Sequence, residues 1–302
     1  MEQVEVEKLL RAGEIAARVR EEAERLVKPG VPVIEICETV ERRIRELGGE
    51  PAFPCNVSIN QVAAHYTSPI GDESLIPDEG VVKVDIGVHV DGYIADTATT
   101  IALSPRYEGL LDAAREALER ALEFIKPGTP FKAVSRLIED VIRRKGYRPI
   151  GNLGGHSIGR YRIHAGESIP NSYEPFLPGS FKPGRVYAIE PFATNGKGVA
   201  VDAPEVYIYA LSQSRLRRRM KDAEKKLLAV IASRYRTLPF TERWLSDVVG
   251  DVEQLRRILK RLSKIGMLTS YPVLVEAGRG LVSQFEHTIV VLEKEVLVTT
   301  RR

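Results

Sequence analysis

The residues best suited to chemistry in this chain are carboxylates placed where a buried strand would carry apolar side chains. In the stretch VVKVDIGVHVDGYIADTATTIAL, residues 81–103, Asp85 and Asp96 each interrupt an apolar run. Asp91-Gly92 predicts a two-residue hairpin turn between the runs, because glycine tolerates the positive φ that such turns require. Across that turn Asp85 and Asp96 become diagonal neighbours on one face, with Cβ atoms within roughly 7 Å.

Two buried carboxylates on one face need a positive partner. Like charges at this distance repel, and leaving a buried charge unpaired is strongly destabilising. Lys83 lies on the same face by the period of two, so an ordinary salt bridge is one alternative. A metal cation is the other alternative, and the hairpin alone does not decide between them.

A gapless internal repeat predicts that this carboxylate pair has a counterpart later in the chain. KPGVPVIEICETVERRIRELGGEP, Lys28 to Pro51, aligns with KPGTPFKAVSRLIEDVIRRKGYRP, Lys126 to Pro149, and nine of the 24 positions are identical. Each copy has the pattern of a loop, an amphipathic helix and a glycine stop, preceded by another helix and followed by strands. We therefore predict a single α+β domain over residues 1–302, with two pseudo-twofold halves and helices on the outer face of a curved antiparallel sheet.

The second half supplies two further carboxylates at the corresponding places. Glu190 interrupts the strand pattern RVYAIEPF as Asp85 interrupts the first one. Glu286 in QFEHTIVV takes the place that Asp96 has in ADTATTI. Lys83 alone cannot satisfy four carboxylates that face one centre, whereas two divalent cations can.

Three of the five histidines are candidates for the same centre. His156 lies in NLGGHSIGRYRIHAG beside glycines that allow close backbone approach, and neutral imidazole is a good ligand for transition metals. His164, in the same segment, and His65, in NQVAAHYTSP, are candidates for substrate contacts and proton handling. We interpret His89, near the hairpin tip, and His287, which alternates away from the neighbouring carboxylate, as bystanders.

One histidine and four carboxylates form an oxygen-rich ligand set for two metals. Such a set suits Mn, Fe(II), Co or Zn better than a metal selected by thiolates, and it leaves positions open for water, unlike a structural zinc site. Two ions roughly 3.5 Å apart can hold a bridging hydroxide at neutral pH and polarise a carbonyl. The set therefore predicts a hydrolase, and an amide is the bond that we expect it to cleave.

Residues 212–272 have no counterpart in the first half and predict an insertion ahead of Glu286. Their sequence contains three helix patterns and then a strand, like a small winged-helix unit. The run SRLRRRMKDAEKK, Ser214 to Lys226, is strongly basic. Two interpretations of this run stay open: the solvated face of a helix, or a docking surface for RNA or the ribosome.

The composition is that of an ordinary globular protein. Of the 302 residues, 43% are hydrophobic and 28% are charged, and no apolar run approaches the roughly 18 residues of a membrane span. The N-terminus lacks the basic start and apolar core of a signal peptide, and the two cysteines are too few for a disulfide framework. We expect a cytoplasmic protein, and its many Arg, Lys and Glu residues, against few Asn, Gln, Met and Cys, indicate a thermophilic source.

The candidate ligands carry a family resemblance. The order Asp, Asp, His, Glu, Glu, in the motifs VDIG, ADTA, GGHSIG, AIEPF and QFEHT, resembles methionine aminopeptidase over nearly the whole chain. The segment GGHSIGRYRIHAG and the insertion resemble the type 2 enzymes of archaea and eukaryotes, and the lack of a long charged N-terminal extension favours an archaeal member. The resemblance implies the pita-bread fold. It also implies removal of the initiator methionine from nascent proteins when the second residue is small, by attack of a metal-bound hydroxide on the scissile amide carbonyl.

The resemblance also implies roles for the metal ligands. Asp85 would chelate one ion, while Asp96 and Glu286 would bridge both. His156 and Glu190 would complete the other site, and Glu190 would be the general base that acts on the metal-bound water. Two divalent ions per chain, of Co, Mn, Fe(II) or Zn, are therefore the expected cofactors.

By the same resemblance, other residues contact the substrate. His164 would steady the carbonyl oxygen of the scissile bond, and His65 the nitrogen of the leaving residue. Phe53, Ile163 and Phe192 resemble residues of the pocket for the methionine side chain. The expected partners are nascent polypeptides and peptides that begin with methionine, with a transient ribosome contact. We expect a monomer that binds no membrane and no specific nucleic acid.

Two other functions stay open at this point. X-Pro dipeptidase and aminopeptidase P have a similar fold and a similar set of metal ligands. The RYRIHAG context and the insertion argue against these two enzymes. The second alternative is a catalytically inactive relative used as a binding module, as in proliferation-associated proteins of the same fold. Such proteins lose metal ligands, whereas all five candidate ligands are present in this chain.

Overall fold

The computed structural model of the chain describes residues 2–212 and 220–301, and its α-helices follow one another in three pairs. The helices are α1 (Gln3–Leu26), α2 (Val33–Glu46), α3 (Glu108–Phe124), α4 (Phe131–Arg144), α5 (Asp222–Tyr235) and α6 (Val252–Lys264), with 3₁₀ turns at Pro105–Tyr107 and Glu242–Leu245. None of the helices in these residues combines the length and the apolar character that crossing a membrane requires.

The strands form antiparallel sheets. In chain order they are β1 (Glu50–Pro51), β2 (Asn56–Ile59), β3 (Val62–Ala64), β4 (Val81–Val90), β5 (Tyr93–Ala102), β6 (Arg148–Pro149), β7 (Gly154–Ile158), β8 (Ser168–Pro170), β9 (Arg185–Ile189), β10 (Phe192–Thr194), β11 (Ala200–Leu211), β12 (Phe240–Thr241), β13 (Leu268–Glu276), β14 (Val282–Gln284), β15 (His287–Val291) and β16 (Val296–Val298). The pairings between these strands are antiparallel. The antiparallel arrangement predicted from the sequence is therefore confirmed.

The hairpin β4–β5 has the register that its turn predicts. Asp91 adopts a φ of 52° and the glycine after it a φ of 86°, the left-handed values of a primed turn. Asp85 faces Ala98, and Gly87 faces Asp96. The two aspartates lie on one face, because residues two apart along a strand share a face.

The two repeated segments fold alike. Helices α2 and α4 each begin after a proline, Pro32 or Pro130, whose φ of −62° or −66° suits the start of a helix. Each is followed by a glycine, Gly48 or Gly146, with φ of 86° and 84°, the left-handed conformation in which many helices end. The pair α1–α2 packs on β4 and β5, and the pair α3–α4 packs on β9 and β15, each through its own apolar core.

The two halves meet where β5 runs beside β15. Ala98 N donates to Glu286 O at 3.4 Å, and Glu286 N donates to Ala98 O at 3.1 Å. Strand β15 also pairs with β9, so that His287 faces Ile189, the residue before Glu190. The pairing of β9 with β15 in the second half thus corresponds to the hairpin β4–β5 in the first.

Between β11 and β13 the chain forms a small helical unit with its own apolar core, which we call the helical insertion. Helices α5 and α6 and the second 3₁₀ turn pack around Leu227, Phe240 and Leu259. Of the three helices predicted here, the middle one is a 3₁₀ turn of four residues, Glu242–Leu245. The likeness to a winged-helix unit and the boundaries 212–272 stay predictions. Residues 214–219 of the predicted basic run lie outside the described residues, and α5 begins in the remaining part, at Asp222.

Candidate metal centre and active site

The four predicted carboxylates converge where the two halves meet, beside the contact between Ala98 and Glu286. We call this interface between the halves the seam. The carboxylates lie at mid-strand in β4 (Asp85) and β5 (Asp96), directly after β9 (Glu190) and directly before β15 (Glu286). The side-chain amide of Gln284 shows how close they are, because its Nε2 lies 3.5 Å from Asp85 Oδ2. The same atom lies 3.3 Å from Glu190 Oε2 and 3.3 Å from Glu286 Oε2. Three carboxylates thus surround one neutral amide.

His156 joins the carboxylates from β7. Its Nε2 lies 3.7 Å from Asp96 Oδ2 and 3.7 Å from Glu190 Oε1. Asp96, His156 and Glu286 each offer a ligand atom, and these atoms lie within 4.8 Å of one another. Gly155 permits this approach, since a Cβ there would lie 2.2 Å from a backbone carbonyl oxygen of β9. The glycine before His156 therefore brings β7 close against β9.

The centre contains buried polar atoms without a protein partner. Among the described residues, Asp85 Oδ1, Asp96 Oδ1, Glu286 Oε1 and His156 Nδ1 are buried and make no hydrogen bond. Buried polar atoms are nearly always paired, so each of these atoms needs an explanation. A divalent cation explains the three carboxylate oxygens, because such oxygens are common ligands of these ions. His156 faces the same centre with Nε2, an imidazole nitrogen that can also bind such an ion. The residues at the seam therefore fit a metal.

Burial and mutual repulsion also indicate that the centre needs positive charge. Burial raises the pKa of Asp85 to about 7. The pKa values of Asp96, Glu190 and Glu286 are raised well above their usual range, first by burial and then by the neighbouring carboxylates. Burial lowers the pKa of His156 to about 3. The imidazole is therefore neutral at neutral pH and does not offset the carboxylates.

Lys83 does not neutralise the aspartates, so the salt-bridge alternative is wrong. Its Nζ donates to two backbone carbonyl oxygens, those of Val282 at 2.8 Å and Asn60 at 3.2 Å. Lys83 is 1% exposed, and burial lowers its pKa to about 7. The side chain shares the face of the aspartates but extends to β14 and to the loop after β2, which packing brings within its reach.

All of the predicted site residues line one cavity of about 430 Å³. They are Phe53, His65, Asp85, Asp96, His156, Ile163, His164, Glu190, Phe192 and Glu286. The two histidines interpreted as bystanders lie elsewhere. His89 Nδ1 accepts from the backbone N–H of Gly92 at the hairpin tip, and His287 Nδ1 lies 2.7 Å from Thr300 Oγ1. The fold thus brings the candidates together, while their individual roles stay predictions.

The other two cavity histidines are neutral imidazoles. His164 is open to solvent, but the surrounding protein still desolvates it and, with a smaller effect from His65, lowers its pKa to about 4. Its ring meets that of His156 edge to face, with centroids 4.4 Å apart. Desolvation also lowers the pKa of His65, whose Nδ1 donates to Pro272 O at 3.1 Å. Since a carbonyl oxygen can only accept, Nε2 of His65 remains an acceptor.

Phe53, Ile163 and Phe192 form an apolar part of the cavity wall, and all three are buried. Phe53 packs directly over the backbone of Gly87, where a Cβ would lie 2.3 Å from its ring. Because Gly87 faces Asp96 across the hairpin, the apolar surface begins beside the carboxylates. The arrangement suits an apolar side chain whose own backbone reaches the candidate metal ligands.

Sequence reasoning missed two residues of this region, Gln284 and Tyr271. Gln284 lies two residues before Glu286, so the period of two could have placed it on the same face. Tyr271 carries no such signal. Its ring centroid lies 5.7 Å from that of His65 and 6.2 Å from that of His164, because β13 pairs with both β3 and β11 after the helical insertion.

Comparisons with known proteins agree with this geometry. Residues 7–293 match the sequence model of Metallopeptidase family M24. The methionine aminopeptidase of Pyrococcus abyssi is 48% identical over 297 residues, which cover 98% of this chain and 100% of that protein. The methionine aminopeptidase of Saccharolobus solfataricus is 48% identical over 301 residues, which cover 100% of this chain and 99% of that protein.

Solved structures share the fold at lower identity. A thermophilic Arx1 superimposes with a TM-score of 0.85 at 19% identity, over 99% of this chain and 91% of that one. The methionine aminopeptidase of Thermotoga maritima superimposes with a TM-score of 0.72 at 22% identity, over 100% of this chain and 98% of that one. At such identities the likeness concerns the fold alone, and it confirms the predicted pita-bread architecture with its curved antiparallel sheet.

Proposed function

Because the chain belongs to metallopeptidase family M24 and removes N-terminal methionine in a metal-dependent reaction, we propose that the seam between its halves is the site of that reaction. The chain is of the archaeal type. Its substrates are peptides and proteins with an N-terminal methionine. The observation that carries the proposal is the group of buried, unpaired ligand atoms at the seam.

The proposed centre holds two divalent ions, of Co, Mn, Fe(II) or Zn. Four carboxylates and one histidine supply enough donors for two ions and leave positions for water and substrate. Asp85 would bind one ion, and Asp96 and Glu286 would bridge both. His156 and Glu190 would bind the other. When bound, such ions polarise a carbonyl group and lower the pKa of water.

Glu190 is the general base of the proposed mechanism. It directly follows β9 and lines the cavity, with Oε1 3.7 Å from His156 Nε2 and Oε2 3.3 Å from Gln284 Nε2. A carboxylate oxygen held there can take a proton from the attacking water and later deliver it to the nitrogen of the leaving residue. Because Glu190 directly follows a strand that is paired with its neighbours, its backbone is fixed and its carboxylate lines the cavity.

His164 and His65 position the scissile bond in this mechanism. Both are neutral at neutral pH, because desolvation lowers their pKa values. Neutral His164 can donate a hydrogen bond to the scissile carbonyl oxygen, where negative charge develops. His65, whose Nδ1 is bound to Pro272 O, offers Nε2 as the acceptor for the N–H of the leaving residue.

Phe53, Ile163 and Phe192 form the proposed pocket for the methionine side chain, and crowding near His65 requires a small second residue. The test is a peptide panel: Met-Ala, Met-Gly and Met-Ser should be cleaved much faster than Met-Lys and Leu-Ala. Equal cleavage of all five would leave only a general aminopeptidase. Faster cleavage of Ala-Pro than of Met-Ala-Ser would instead favour the X-Pro peptidase alternative.

The proposal extends to the organisation and partners of the chain. Residues 1–302 would form one catalytic domain, with residues 212–272 as a helical insertion within it. We propose that the chain acts in the cytoplasm as a monomer on nascent polypeptides, with a transient ribosome contact. Light scattering after size exclusion tests the oligomeric state, and co-sedimentation with ribosomes tests the contact.

A further inference from the structure

His65 makes one direct bond to a strand that is distant in sequence, and the segment that follows it is bonded to the helical insertion. His65 follows the end of β3 with a φ of 65°, a left-handed conformation in which a non-glycine residue stays only when its surroundings hold it. On one side its Nδ1 donates to Pro272 O at 3.1 Å. Pro272 belongs to β13, the strand that leaves the helical insertion. On the other side the chain continues into residues 66–72, which the insertion also contacts.

The segment after His65 is bonded to the second 3₁₀ turn. Arg243 Nε donates to Ser68 O at 2.6 Å, and Arg243 Nη2 donates to Thr67 Oγ1 at 3.3 Å. One residue earlier in the turn, the Oε1 atom of Glu242 accepts from a backbone N–H of the same segment at 3.0 Å. Thr67 and Ser68 are buried, so water does not compete for these bonds.

Glu41 of α2 holds Arg243 from the opposite side. Its carboxylate accepts from Arg243 Nη1 at 3.0 Å and from Nη2 at 2.8 Å. It also accepts from Trp244 Nε1 at 2.8 Å and from Cys55 N at 3.2 Å. The side chains of Arg243 and Glu41 are 6% and 4% exposed. The planar guanidinium of Arg243 makes four hydrogen bonds, to a carboxylate, a carbonyl and a hydroxyl, whereas a lysine ammonium has three donors and no fixed fork geometry. We call this ion pair the Glu41–Arg243 clamp.

We propose that Arg243 is a positioning residue for methionine removal, because the Glu41–Arg243 clamp and β13 together hold His65 where its Nε2 meets the N–H of the leaving residue. This role of Arg243 rests on the function proposed for His65. The helical insertion then does more than wall the cavity, since it sets the position of a substrate-contacting histidine. A displacement of about 1 Å at such a residue can lower the rate about 100-fold.

The test compares Arg243→Lys and Arg243→Met with Arg261→Lys. Arg261 is the control, because it also pairs with a buried glutamate: its Nε lies 2.7 Å from Glu224, in a pair within the helical insertion, although the arginine itself is half exposed. Arg243→Lys should lower kcat by roughly 10- to 100-fold with its metal content unchanged, whereas Arg261→Lys should stay near wild type. Arg243→Met also leaves Glu41 without its cation, so its melting temperature is measured beside its activity. Wild-type kcat in a folded Arg243→Met would overturn the inference.

The imidazole signal of His65 separates positioning from a general loss of stability. In protein labelled with ¹⁵N-histidine and loaded with diamagnetic Zn²⁺, the five histidines give few signals, and His65→Asn assigns that of His65. Wild type and Arg261→Lys should show the Nδ1–H tautomer that the bond to Pro272 imposes. Arg243→Lys should show an altered or exchange-broadened signal. An unaltered signal in a variant that has lost activity would mean that Arg243 does not act through His65.

A double-mutant cycle gives an independent kinetic readout. In the His65→Asn background, Arg243→Lys should have little further effect on kcat, because the group that it positions is gone. Equal losses in both backgrounds would contradict the inference. Wild-type kcat in His65→Asn alone would overturn the role proposed for His65, and with it any catalytic role of the clamp. The NMR signal would then still show whether the clamp holds that residue.

Discussion

Glu276 and Glu286 are equally buried, each 1% exposed, yet their pKa values move in opposite directions. The carboxylate of Glu276 accepts from the backbone N–H groups of Gly198 at 2.9 Å, Gly278 at 2.6 Å and Gly280 at 2.9 Å. Burial alone would raise its pKa, but these backbone donors lower the pKa below its usual value. The charge of Glu276 therefore ties the loop before β11 to the loop after β13.

Glu286 has the opposite surroundings. Its Oε2 accepts from Gln284 Nε2 at 3.3 Å, and its Oε1 has no hydrogen-bond partner among the described residues. Burial first, and then the charges of Asp96, Glu190 and Asp85, raise its pKa. The fold thus surrounds a buried carboxylate with donors where the geometry of two loops depends on it. At the proposed metal centre, carboxylate lone pairs are instead left without donors from the residues that the structure describes.

The largest effect should come from removing a carboxylate that bridges the proposed ions. Asp96→Ala or Glu286→Ala should lower kcat by more than about 100-fold, since losing even a group that only orients a ligand costs about 10- to 100-fold. The fold, followed by circular dichroism, should be largely retained, and the metal content, measured by mass spectrometry, should fall. Glu276→Ala is the control, because an equally buried glutamate outside the centre should leave the metal content unchanged. Two bound ions with near-normal turnover in either variant would show that the ligand assignment is wrong.

Removal of metal should have the next largest effect. A ligand that binds only the folded chain stabilises it by an amount that grows with its free concentration, about 2.7 kcal/mol at about 100 times Kd. The melting temperature should therefore fall with EDTA and rise again with added Mn or Co, in denaturant if the transition is otherwise too high. Lys83→Met should melt earlier but keep the full metal-dependent shift, because Lys83 bonds carbonyl oxygens rather than carboxylates. A wild-type melting curve that does not respond to metal would contradict the proposed centre.

Replacement of the donor-surrounded Glu276 should have the smallest effect of these changes. Glu276→Gln keeps the shape of the side chain but turns an amide N–H against backbone N–H groups, which should lower the free energy of unfolding by about 2 kcal/mol at neutral pH. The pKa of Glu276 in the folded chain lies below its usual 4.5. The stabilisation by its charge is thus present above 4.5 and lost as the pH falls through the folded-state pKa. Urea unfolding at several pH values should show the two proteins converge on acidification. A difference that is constant with pH would mean that hydrogen-bond geometry, not charge, is responsible.

Local rules were sufficient for much of the fold and for the candidate ligands. The Asp91-Gly92 turn predicted the register of β4–β5, because only a primed turn suits these residues and a turn of two residues leaves one register. The prolines and glycines of the repeat predicted where α2 and α4 begin and end. The motifs named ten site residues, and all ten line one cavity. Each of these predictions depends on the preferences of a few consecutive residues, or on motifs matched one by one.

Tertiary structure alone decided which partner each buried charge has. Lys83 shares a face with two aspartates but bonds carbonyl oxygens of other segments. Gln284 enters the carboxylate cluster, Glu276 binds two loops, and Arg243 finds Glu41 from 202 positions away. A backbone dihedral preference acts within a few consecutive residues, so turns, helix ends and the register of a hairpin can be predicted from local sequence. A hydrogen bond of about 3 Å needs two groups that packing brings together from anywhere in the chain, and no local pattern specifies that distance.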